Sequence, residues 1–110
     1  MRIHKITWRT TPDSQFPQSV HIDLDEVVSI SEPKIKAHYE NKSYYLGSEF
    51  HITLRHCDKP IVIDSKDTDG SDWLDGLFDN DVMRVPVSHA AILSAFVRVY
   101  EAWTGTIYIP

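Results

Sequence analysis

Apolar and polar residues alternate in short runs through the first 63 residues, and a helical period of about 3.6 residues appears once, near the end of the chain. Strand side chains point alternately to opposite faces, so each run buries one face and leaves the other polar. The clearest run sets Phe50, Ile52 and Leu54 against His51, Thr53 and Arg55. A turn over Cys57-Asp58-Lys59-Pro60 follows, and Ile61-Val62-Ile63 returns as a buried strand. Upstream, His4, Ile6 and Trp8 share one face of a first strand, and Val20, Ile22 and Leu24 alternate with His21 and Asp23. Val28 and Ile30 make a short piece that Pro33 interrupts. Ile35, Ala37 and Tyr39 then alternate with Lys34, Lys36, His38 and Glu40. Asn41-Lys42-Ser43 turns the chain, Tyr44-Tyr45-Leu46 returns, and Gly47-Ser48 reads as another turn.

The helix is expected over residues 88–104. Ser88 is a good N-cap, and Gly105 is a natural stop. Ile92, Phe96, Val99 and Trp103 form the apolar stripe, with Leu93, Val97 and Tyr100 beside it. Ser94, Arg98, Glu101 and Thr104 face outward. Thr106-Ile107-Tyr108-Ile109 has strand character, which predicts a short terminal strand over 106–109. A run of strands followed by a helix predicts an α+β fold in one domain, residues 1–110. The expected architecture is a curved antiparallel sheet, or a small barrel or roll, of about six to seven short strands with one C-terminal α-helix and that terminal strand.

The stretch from Val20 to Ile63, with Asp25-Glu26-Val27-Val28-Ser29-Ile30, then Ile52-Thr53-Leu54, a polar turn and Ile61-Val62-Ile63, resembles short bacterial proteins of the flagellar and swarming motility type. Lys59-Pro60 stands where that pattern expects a glycine, and the likeness implies a shared hairpin and no function.

Charge is distributed very unevenly. Asp64, Asp67, Asp69, Asp72, Asp75, Asp79 and Asp81 face only Lys66 within residues 64–81, a net of −6, while the whole chain carries −5. The strand-rich part, residues 1–63, is neutral by count, and residues 82–110 carry +1. A local field of this kind selects partners, whereas a diffuse one mainly keeps a protein in solution. Within this connector, Trp73, Leu74, Leu77 and Phe78 fall at spacings that give one or two helical turns a single apolar face. Aromatic anchors inside a polar rim are what protein interfaces use. The partner-binding residues are therefore expected to be Asp67, Asp69, Asp72, Trp73, Asp75 and Phe78, and the partner a protein with a basic surface. Asp67, Asp69, Gly70 and Asp72 partly imitate a calcium loop. With Gly70 at the sixth position, however, the twelfth falls on Gly76 where a glutamate is needed.

Other chemistry finds little support. Six histidines occur without HExxH, His-x-His or zinc spacing, so no metal or cofactor is expected. The least poor acid–base or metal candidate is a cross-strand pair of His21 and His51 with Asp23. Cys57, the single cysteine, lies in a turn, precludes an intramolecular disulfide and fits a cytoplasmic setting. The bases are scattered and the net charge is negative, which disfavours direct nucleic-acid binding. No run approaches the about 20 apolar residues that span a bilayer. The chain thus reads as a small non-enzymatic protein-binding module with no catalytic residues assigned. The competing readings are an inhibitor that mimics nucleic-acid charge, a structural subunit of a homo-oligomer, and a metal-assisted enzyme.

Overall fold

The computed structural model describes residues 1–10, 15–39, 43–66 and 87–110. It is an α+β fold in which two antiparallel sheets share one core with a single C-terminal helix. The strands are β1 (Ile3–Trp8), β2 (Gln18–Asp23), β3 (Val27–Ile30), β4 (Lys34–Tyr39), β5 (Ser43–Leu54) and β6 (Ile61–Lys66), and the helix is α1 (Val87–Thr104). Strands β1 and β2 form a hairpin in register from Ile3↔Asp23 to Trp8↔Gln18. A three-residue 3-10 turn, Leu24–Glu26, carries the chain from this hairpin to the larger sheet. Asp23 caps it: its carboxylate accepts from the Asp25 N–H at 3.0 Å and from the Arg2 N–H at 3.1 Å.

In the larger sheet β5 is the central strand. β3 and β4 lie in succession along one side of it, from Val27↔Leu54 to Tyr39↔Ser43, and β6 lies along the other, from Ile52↔Ile61 to Gly47↔Lys66. Pro33, with no N–H to give the ladder, falls in the gap between β3 and β4. No closed barrel forms among the described strands, so of the sheet, barrel and roll expected, the open antiparallel arrangement is the one observed.

Alternation places the core as the sequence predicts. Ile6 and Ile22 of the hairpin, Phe50, Ile52 and Ile63 of the larger sheet, and Ile92, Phe96 and Val99 of α1 are all buried. Phe96 is the centre of an aromatic group: its ring meets Phe50 edge-on at 5.6 Å and Tyr108 at 5.1 Å. Edge-on geometry sets the positive ring edge against the negative face of its neighbour. Ala95 is also buried, where its small side chain lets the helix come close, while Leu93 of the expected apolar band is 37% exposed.

Two further expectations need correcting. Gly47-Ser48 is not a turn, because β5 runs through it. Lys36 pairs with Gly47 and Ala37 with Tyr45, so Leu46 is an extra residue and the site is a bulge. Gly47 has φ +147°, and a Cβ there would collide with the Ser65 carbonyl oxygen, so both the bulge and the close approach of β6 require glycine. Residues 106–109 form no strand. Gly105, at φ +73°, ends α1 by donating to the Glu101 carbonyl at 2.9 Å. The chain then folds back over the helix. The Tyr108 N–H donates to the Glu101 carboxylate at 3.0 Å, and Ile107 and Ile109 point to solvent.

Candidate functional site

All six residues expected to bind a partner, Asp67, Asp69, Asp72, Trp73, Asp75 and Phe78, lie outside the described residues, and so does the partial calcium-loop pattern. The described residues that flank 67–86 meet at one locus. Lys66, which lies within the acidic stretch and ends β6, pairs with Gly47, and Ser65 pairs with Ser48. The Thr10 carbonyl accepts from the Lys66 N–H at 2.6 Å and from the Ser65 hydroxyl at 3.3 Å. On the returning side, α1 begins at Val87, and two residues later His89 Nδ1 lies 2.7 Å from the Ser48 hydroxyl oxygen.

This locus joins three elements through polar groups in a dry setting. Ser48 is fully buried and Ser65 is 2% exposed. Burial lowers the pKa of His89 and keeps the ring neutral. In its Nε2–H tautomer the ring accepts the Ser48 hydroxyl proton at Nδ1. A serine next to a histidine also resembles a nucleophile with its base. Here the hydroxyl is closed off from solvent, and among the described residues no carboxylate orients the imidazole. The pair ties α1 to β5. Nothing in the sequence marked Ser48 or Ser65 as buried. The available signal was Gly47, since an isolated glycine within a strand pattern indicates a bulge or a close backbone approach.

The other candidates are kept apart. His21 pairs with Lys5 on the hairpin, and His51 pairs with Val62 in the larger sheet, so the two histidines belong to different sheets. Asp23 is occupied in capping the 3-10 turn. His51 Nε2 sits 3.5 Å from a Glu49 carboxylate oxygen on the same strand. Among the described residues no three histidine, cysteine, aspartate or glutamate side chains converge on a point that could hold a metal ion. Cys57 is exposed in the turn after β5, and no described helix is long and apolar enough to cross a membrane.

An open cleft of about 330 Å³ lies between β1 and α1, lined by Thr7, Trp8 and Arg9 on one side and by Ala91, Ser94 and Arg98 on the other. A smaller cleft shares Thr7, Ala95 and Arg98 and extends the slot to His4 and Lys5. Small side chains on α1 leave this space, and the slot's charged side chains are all basic. Among the described residues Lys5 and Arg98 make no ion pair. Burial lowers the pKa of His4, so it adds no charge at neutral pH. The indole N–H of Trp8 is buried and has no acceptor among the described residues. Such an unpaired donor costs about 1–3 kcal/mol.

No protein-family model matches the chain, and no significant match was found among curated proteins or solved structures.

Proposed function

We propose that the protein is a non-enzymatic protein-binding module whose acidic connector, residues 64–81, engages a basic protein surface. The observation that carries the reading is the net −6 of this segment in a chain that is otherwise close to neutral. The described residues on either side support the reading because they meet at one place: Lys66 is held by β6 and Thr10, and His89 near the start of α1 by Ser48. Holding the flanking residues close together reduces the conformational entropy that binding must remove. In this reading Asp67, Asp69, Asp72 and Asp75 steer a basic partner and set its register, and Trp73 and Phe78 supply the apolar anchors.

The test compares the wild-type chain with a variant carrying Asp67→Asn, Asp69→Asn, Asp72→Asn and Asp75→Asn, and with a Trp73→Ser, Phe78→Ser variant. Each is titrated by calorimetry with a peptide of alternating lysine and leucine at two salt concentrations. The expected result is salt-sensitive binding that the aspartate variant loses and the aromatic variant weakens. Equal affinity in all three proteins, or no binding, contradicts the proposal.

A further inference from the structure

We propose that the slot between β1 and α1 receives an acidic peptide in extended conformation, supplied by another protein, which adds to β1 as a strand. Four observations carry this. The slot runs along β1 from His4 to Arg9, so it has the length of a strand segment and not the shape of a pocket for a single ion. Among the described residues, β1 is paired along its length only with β2. Its flanking backbone bonds are those of Arg2 with Leu24 and of Thr10 with Lys66, at its two ends. The edge toward α1 therefore has main-chain groups to offer, which is how β-strand addition gains its affinity.

The facing wall suits a side-chain-bearing guest. Ala91, Ser94 and Ala95 are small and leave room for alternate side chains of the peptide. Lys5 and Arg98 reach the slot from its two sides without ion-pair partners among the described residues, and carboxylates on the guest would meet them. The specificity is opposite in sign to that of the acidic connector, so this site takes a different ligand and stands or falls separately.

The experiment titrates the isotope-labelled full chain with a peptide of alternating glutamate and leucine and follows backbone amide shifts. The expected result is saturable binding, with shifts concentrated at residues 4–9 and at Ala91, Ala95 and Arg98. Lys5→Glu with Arg98→Glu should weaken binding about tenfold or more, the scale for reversing charges at an interface. Ser94→Trp, which fills the slot from an exposed position, should abolish it. A peptide methylated on alternate amide nitrogens should not bind, because it cannot extend the sheet. An absence of saturable binding, shifts elsewhere, or unchanged affinity in the charge-reversed protein overturns the proposal. So does binding of inorganic phosphate at these residues with no binding of the peptide.

Discussion

Two stretches of nearly identical pattern have opposite fates. Ile61-Val62-Ile63 lies in β6, with Ile63 fully buried and Val62 42% exposed. Ile107-Tyr108-Ile109 has the same apolar rhythm, yet its isoleucines are 81% and 84% exposed and its middle residue is the one that packs. The difference lies in what each stretch meets. β6 follows a tight turn that lays it beside β5, whose other groups are already held by β3. The terminal stretch follows the αL stop at Gly105, which directs it back along α1, and among the described residues it pairs with no strand. There Tyr108 finds Phe96 and Tyr100, and its phenol, close to Glu32, has its pKa raised by desolvation and by that carboxylate. Alternation thus states only which side chains would share a face; a hydrogen-bonding edge decides whether a strand forms.

Breaking β6 should have the largest effect on stability. Ile63→Ala leaves a cavity in a fully buried site, and chemical denaturation should show a loss of about 2–5 kcal/mol. Gly47→Ala attacks the edge on which β6 depends, and a positive φ plus a backbone collision should cost about 2–4 kcal/mol in the same assay. Tyr108→Ala removes ring contacts with Phe96 and Tyr100, and should cost about 1–2 kcal/mol. Ile107→Ala and Ile109→Ala should fall within about 0.5 kcal/mol of wild type, as exposed positions do. A loss at Ile107 or Ile109 comparable to that at Ile63 would mean that the tail pairs as a strand after all.

The polar tie of α1 to β5 predicts a pH effect of defined sign. Burial holds the pKa values of His89 and His4 below the ordinary 6.5, so the unfolded chain takes up protons first as pH falls. Their contribution to stability is complete above pH 6.5 and declines as pH falls from there through the depressed folded values. His89→Gln should flatten the slope of the melting temperature against pH in this window. Asp25 acts lower on the scale. Its hydrogen bond from Arg2, at 2.7 Å, holds its carboxyl below 3.8, so that contribution persists above 3.8 and is lost as pH falls through the folded value.

The fold was largely legible in the sequence because burial in strands and helix follows period. Phe50, Ile52, Ile63, Ile92, Phe96 and Val99 are all core residues that periodicity identifies. What periodicity cannot express was missed. The bulge at Gly47 depends on a cross-strand approach to Ser65, and the Ser48–His89 bond joins residues 41 positions apart. The basic slot was hidden for the same reason: Lys5 and Arg98 are far apart in the chain, and only the packing of α1 beside β1 brings them together. The acidic connector was read from charge, a local property of sequence, and its partner-binding role rests on that reading.

The acidic connector, residues 64–81, is proposed to meet a basic partner. The most direct measurement is an amide-shift map of the isotope-labelled chain titrated with the lysine–leucine peptide. The account predicts saturable, salt-sensitive shifts concentrated between Asp64 and Asp81, reaching the body only at the stems near Lys66 and His89. Shifts confined to the sheets and the outer face of α1, or no response from the aspartates, would contradict it.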